Sequence, residues 1–203
     1  MNIFVTGTDT DVGKTIVSAW ICRQTGASYW KPLQTDDEHA SDRKTIERLS
    51  PNTPTIDEVY RLKAPLSPYD AANSEKISID IDKILQKKPD KTVIEGAGGL
   101  LVPVAKNCQM IDLAEKMNAK VVIVAQSKLG FLNHIFLTVE ALKNRAIPIA
   151  GIVLNGEIDE FLAQTVEAFS GEKILKILPY SEAIQKMIAD EIIPDEIKKV
   201  LTL

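Results

Sequence analysis

The sequence predicts an α/β fold: a doubly wound, mostly parallel β-sheet with helices on both faces. Three observations carry that expectation. Short β-branched runs alternate with helical stretches along the 203 residues, as repeated strand–helix–strand units do. The runs 91–94, 120–125 and 149–154 are almost unbrokenly apolar, the pattern of parallel strands buried on both faces. Near the start, a strand-like run leads through a Gly-containing turn to Gly13-Lys14-Thr15 and a helical stretch.

In chain order, Asn2-Ile3-Phe4-Val5-Thr6 reads as the first buried strand, and Ile16-Val17-Ser18-Ala19-Trp20-Ile21 as the first turns of a helix that Gly26 ends. Ser28-Tyr29-Trp30 is a short strand. Ser41-Asp42 opens a helical stretch, with Asp42 open to two readings, helix N-cap or ligand. Ser50-Pro51-Asn52-Thr53-Pro54 is a loop inside the domain. Helices are predicted over 77–87, 109–117, 132–145 and 158–169, with Gly171 ending the last, and 173–178 as a further strand. Crossovers between parallel strands are right-handed, and ligands of such sheets bind outside the carboxyl ends of the strands. No internal repeat or linker interrupts the pattern, so residues 1–203 are expected to form one domain.

Composition narrows the function. A net charge of −4 with both signs interspersed leaves no footprint for nucleic acid. Two cysteines, Cys22 and Cys108, are too few for a metal knuckle or a disulfide framework, which fits a reducing cytoplasm. No apolar run reaches the ~18 residues of a membrane span, and no basic-then-apolar leader begins the chain. The expectation is a cytoplasmic protein without membrane or nucleic-acid partners.

The segment Thr8-Asp9-Thr10-Asp11-Val12-Gly13-Lys14-Thr15 has the form of a phosphate-binding P-loop. Free N–H groups at a helix start, together with the helix dipole, make a seat for phosphate oxygens. Lys14 supplies a charge for the β- and γ-phosphates, and the Thr15 hydroxyl is a ligand for Mg²⁺. The strict motif has glycine where this chain has Thr8. Two strand ends add to the site. Glu95, followed by Gly96-Ala97-Gly98-Gly99, offers a hard oxygen ligand facing the loop, and the glycines would let backbone approach a γ-phosphate. Lys31, followed by Pro32, stands at the end of the second strand.

Residues 7–15 closely resemble the glycine-rich loop of the dethiobiotin synthetases, ATP-dependent enzymes of the penultimate step of biotin synthesis. Lys31-Pro32, Pro65-Leu66-Ser67-Pro68, Glu95-Gly96-Ala97-Gly98-Gly99 and Lys128-Leu129-Gly130-Phe131-Leu132-Asn133-His134 resemble that family's other blocks in the same order, over residues 2 to about 182. The resemblance implies closure of a cyclic urea from 7,8-diaminononanoate and CO₂ at the expense of ATP. The route passes through a carbamate and a carbamic-phosphoric anhydride.

Site roles follow from the same resemblance. Lys14 and Lys31 would be the catalytic cations, and Thr15, Asp42 and Glu95 the Mg²⁺ ligands. Nucleotide contacts are implied for Asp11, Val12, Gly13, Lys14, Thr15, Ile16, Asp42, Glu95, Gly96, Ala97, Gly98, Asn155, Pro179, Tyr180 and Ser181. Asn155 is the residue matched to hydrogen bonding of the base. Substrate contacts are implied for Asp11, Thr35 (usually Ser in the family) and Leu129, Gly130, Phe131, Leu132 and Asn133. These last five open a helix whose N-terminus would receive the substrate carboxylate. In the family that helix comes from the other subunit, which implies a homodimer with the substrate site at the interface. Three departures stand out: Tyr69 follows Pro68 where His is common, Gly156 follows Asn155 where an acidic residue is usual, and the loop after Ser181 is hard to align. Fewer polar groups for rejecting a wrong base lead to an expectation of relaxed nucleotide selectivity.

The competing class is a P-loop ATPase switch of the septum-positioning or plasmid-segregating type. Those carry an additional lysine early in the loop, where this chain has Thr8 and Asp9. The segment 193–201 superficially passes for their membrane tail. Its apolar positions 197, 200 and 201 read better as docking on the domain's own core. A regulatory GTPase lacks support because no Asn-Lys-x-Asp occurs. An amidoligase would need a glutaminase partner, since Cys22 inside a helix is a poor nucleophile.

Overall fold

The computed structural model describes residues 1–36 and 41–202, with the side chains of Leu201 and Thr202 excepted. From the N-terminus the elements are β1 (Ile3–Gly7), α1 (Lys14–Thr25), β2 (Ser28–Trp30), β3 (Leu33–Gln34), α2 (Asp42–Leu49), β4 (Thr55–Ile56) and β5 (Tyr60–Arg61). There follow α3 (Pro68–Ser74), α4 (Ile81–Gln86), β6 (Thr92–Gly99), β7 (Pro103–Ala105), β8 (Cys108–Gln109), α5 (Met110–Lys116) and β9 (Lys120–Gln126). The chain continues through α6 (Phe131–Asn144), β10 (Ile149–Asn155), α7 (Glu160–Ser170), β11 (Ile174–Leu178), α8 (Ile184–Asp190) and α9 (Asp195–Thr202).

Seven strands form one sheet in the order β11-β10-β9-β1-β6-β2-β4, and every pairing in it is parallel. Alternate side chains of β1 explain the two layers of helices. Ile3 and Val5 face a core completed by α1, α2, α8 and α9, whereas Phe4 faces one completed by α3 to α7. The expected doubly wound sheet is therefore present, and wholly parallel.

Register places the chemistry. Val5 pairs with Glu95, so the end of β1 and the acidic residue of β6 lie side by side. Trp30 pairs with Ile94 on the other side of β6, which brings Lys31 level with Glu95.

One local expectation is corrected, and Asp42 loses one of its two readings. The helix predicted over 77–87 begins only at Ile81, because the Asp80 carboxylate caps it by accepting from the N–H groups of Asp82 and Lys83. Asp42 is not a cap: Ser41 holds that position, accepting from Lys44 N–H, and Asp42 is the first helical residue. The glycine-rich run after Glu95 forms the second half of β6, and Gly96 lies under the core, where a Cβ would stand 3.0 Å from the Phe4 ring. The segment expected to dock on the core does so at Ile197 and Val200, which with Ile193 are buried against α1 and its neighbours, while the side chain of Leu201, the third expected position, lies outside the described residues. No helix among the described residues is long and apolar enough to cross a membrane.

Candidate active site

The turn from β1 to α1 opens onto a cleft of 730 Å³ at the carboxyl ends of the strands. The cleft brings together Asp11, Gly13, Lys14, Thr15, Ile16, Lys31, Thr35, Asp42, Glu95, Ala97 and Gly98 from four separate stretches of chain. Lys14 opens α1 and is buried; its Nζ donates to the Asp9 carbonyl oxygen at 3.1 Å, across the loop it belongs to. Burial lowers the Lys14 pKa, with the Glu95 charge opposing the shift. A desolvated ammonium held over the loop's backbone is what a triphosphate chain needs.

Around Thr15 three charged side chains converge. Its hydroxyl lies 2.7 Å from Asp42 Oδ1 and 3.0 Å from Glu95 Oε1. Lys31 Nζ contacts Asp42 Oδ2 and stands 3.5 Å from Glu95 Oε1. Burial alone would lower the Lys31 pKa, but the charges of Glu95 and Asp42 outweigh it, so the ammonium keeps its proton more firmly than an ordinary lysine. Burial pushes the Asp42 carboxyl up and the Lys31 charge pulls it further down, leaving it below the usual range. Glu95, buried more deeply, is left raised by desolvation despite Lys31.

A hydroxyl has one proton, so Thr15 can satisfy one of the two facing carboxylate oxygens and not both. That set of hard oxygens, one hydroxyl and two carboxylates beside a phosphate cradle, fits Mg²⁺. This ion binds through one or two carboxylates and completes its shell with phosphates and water. The described residues contain no group of three His, Cys, Asp or Glu that would form an all-protein metal cage.

Two supporting residues were invisible in the sequence. Tyr29, fully buried, donates its hydroxyl to Glu95 Oε2 at 3.0 Å and leaves Oε1 turned towards Thr15 and Lys31. Gln34 Oε1 accepts from the Asp42 N–H at 3.2 Å, fixing the start of α2. A tyrosine in an apolar strand reads as core, and nothing in its sequence neighbourhood marks the carboxylate it meets.

Other expected contacts lie outside this cleft. Val12 is buried behind the loop, and Asn155 donates from Nδ2 to the Val12 carbonyl oxygen at 3.1 Å. Pro179 and Tyr180 are exposed, the latter by 83 %. Leu129, Gly130 and Asn133 are exposed at the start of α6, with Leu132 half-buried and Phe131 buried. The lead into α6 is tied to the loop by Lys128, whose Nζ meets Asp9 Oδ2 at 2.8 Å. That hydrogen bond, with the Thr10 N–H, lowers the Asp9 pKa. Pro65 to Pro68 line the cleft, and Ser67 caps α3 by accepting from the Asp70 N–H. Tyr69 lines a separate hollow beside β7 and β8.

A family model described as an AAA domain matches residues 1–187. Among curated relatives, the protein named ATP-dependent dethiobiotin synthetase BioD from Paramagnetospirillum magneticum is 43% identical over 174 residues, 85% of each chain. The one of that name from Sphingopyxis alaskensis is 42% identical over 175 residues, 86% of each. Solved structures share the fold at much lower identity. A ParA family ATPase from Chlorobium tepidum superposes with a TM-score of 0.57 at 15% identity, covering 98% of this chain and 95% of that one. A chain of the MinC:MinD cell division protein complex from Aquifex aeolicus gives 0.56 at 12%, covering 98% and 92%.

Proposed function

The chain belongs to the family of ATP-dependent dethiobiotin synthetases and is an enzyme of biotin biosynthesis that uses a nucleotide; from that premise we propose that it carboxylates 7,8-diaminononanoate and closes the product to dethiobiotin, releasing ADP and phosphate. The observation that carries the reading is the pair of buried cations, Lys14 and Lys31, in one cleft with the Thr15–Asp42–Glu95 cluster between them.

One substrate amine adds CO₂ and loses a proton to give a carbamate. A carbamate oxygen attacks the γ-phosphorus and ADP leaves. The second amine then attacks the carbamoyl carbon, loses its proton and expels phosphate, closing the urea. Both partners of the phosphoryl step are anions, so positioning and charge neutralisation matter more than acid–base chemistry. Lys14 serves the β- and γ-phosphates from the loop. Lys31 faces the carbamate and the γ-phosphate together, its charge secured by the two carboxylates behind it. Asp11 offers a negative charge to the substrate's ammonium groups, and Thr35 a hydroxyl. Thr15, Asp42 and Glu95 would hold Mg²⁺, which supplies neutralisation between the phosphates when bound. The start of α6 on a partner subunit would receive the substrate carboxylate, making the functional unit a homodimer. Two cores packed on the faces of one sheet support treating residues 1–203 as one domain.

Product analysis tests the proposal. With diaminononanoate, labelled bicarbonate, Mg²⁺ and ATP, acid-stable label is expected in dethiobiotin. A folded, ATP-binding protein that makes no labelled product would overturn it.

A further inference from the structure

Asn155 ends β10, and its position is that of the rigid sheet. It pairs with Gln126 of β9 on one side and Leu178 of β11 on the other. From this anchored place its Nδ2 donates to the Val12 carbonyl oxygen at 3.1 Å. The same side chain packs against the next residue. Gly13 has a left-handed φ of 93°, and a Cβ there would stand 2.0 Å from Asn155 Nδ2. Asn155 therefore meets the loop twice, by a hydrogen bond at Val12 and by close packing at Gly13.

The peptide so held joins Val12 to Gly13 and directly precedes Lys14. In a trans peptide the C=O and N–H point in opposite directions. With the Val12 carbonyl turned to Asn155, the Gly13 N–H is turned away from it, and Gly13 lines the cleft. A left-handed glycine leaves this peptide free to rotate unless something outside the loop holds it. The cost of ordering the loop at binding is lower when the peptide is held beforehand.

We propose that Asn155 is a positioning residue for the phosphate cradle: through the Val12 carbonyl it sets the peptide plane that presents the Gly13 N–H to the nucleotide's phosphates. The side chain matched to base recognition thereby sets the phosphate end as well. This rests on the reading of residues 8–15 as the phosphate-binding loop.

The test uses a ligand with a triphosphate and no base. Calorimetric titration with ATP and with inorganic tripolyphosphate is run on the wild-type chain, on Asn155→Leu, which keeps the volume but donates nothing, and on Asn155→Ala. Both variants are expected to lose affinity for tripolyphosphate about tenfold, the worth of one neutral hydrogen bond, and for ATP by at least that factor. The melting temperature without ligand should fall by only a few degrees, the worth of that same hydrogen bond in a domain of this size. Loss of ATP affinity with tripolyphosphate binding intact would assign Asn155 to the base alone and overturn the proposal. A fall in ligand-free melting temperature with the affinity for both ligands intact would overturn it in favour of a role in the fold alone. A wild-type chain that binds neither ligand would remove the phosphate-loop reading itself, and the proposal with it.

Discussion

Lys31 and Tyr29 stand two positions apart at the end of β2 and meet the same carboxylate, Glu95, through different oxygens. Their substitutions should have different effects. On the proposed mechanism Lys31→Ala removes a positive charge aimed at the developing phosphoryl transition state, so kcat should fall by about 10²–10³. ATP affinity, which rests mainly on the loop, should change far less, as paired turnover and calorimetric measurements would show. Tyr29→Phe should act on stability. Burial and the Glu95 charge raise the Tyr29 pKa well above its ordinary value of 10.0. Above pH 10.0 the unfolded chain loses this proton while the native state keeps it, so the native state binds more protons and stability falls as pH rises. Removing the phenol should flatten that alkaline decline, leaving the part due to Lys31, whose pKa is also raised. At neutral pH the variant should be about 1–3 kcal/mol less stable, because a buried carboxylate oxygen loses its donor. Urea unfolding at stepped pH would check both effects. Lys31 stood out in the sequence as Lys-Pro at a strand end, while its role was implied only by the family resemblance. Tyr29 was not, since a hydroxyl's partner depends on which strand lies alongside.

At the scale of elements, the helix that most bears on function class is α9. Read in isolation, 193–201 passes for an amphipathic membrane tail. In the fold, Ile197 and Val200 are buried in the core shared with α1. Ile197→Ala should therefore destabilise the protein by about 2–5 kcal/mol in denaturant titration. An exposed membrane face would make the change nearly neutral. Helix and strand positions were largely legible from periodicity, which depends on each segment's own residues. The late start of α4 came from capping. Asp80 satisfies free N–H groups with its side chain, and that local choice outweighs the apolar pattern around it. Two-residue strands such as β3, β5 and β8 are too short to have a period and were not anticipated.

For the whole molecule, the carboxylate-binding start of α6 is proposed to serve the partner's cleft. Gly130→Asp would place a negative charge there, and Lys31→Ala would disable the cleft; each variant alone should be inactive. In a statistical mixture half of the dimers are mixed, and each of these holds one intact site of two. Co-refolding equal amounts should therefore restore about a quarter of wild-type activity, given the symmetric twofold dimer expected of such an assembly. No recovery in a verified mixed dimer would place the helix start in its own subunit's site.

The sequence alone determined the alternation of buried strands and helices, the phosphate loop and the family, because each is written in contiguous residues whose spacing has local physical consequences. Only the tertiary structure decided that Glu95 faces Thr15, that Lys31 stands between two carboxylates, that Tyr29 holds one of them, and that Asn155 reaches back 143 residues to Val12. These are matters of strand order and register. Pairing Val5 with Glu95 and Trp30 with Ile94 is fixed by how the whole sheet buries its two faces, and no short stretch of chain contains that information.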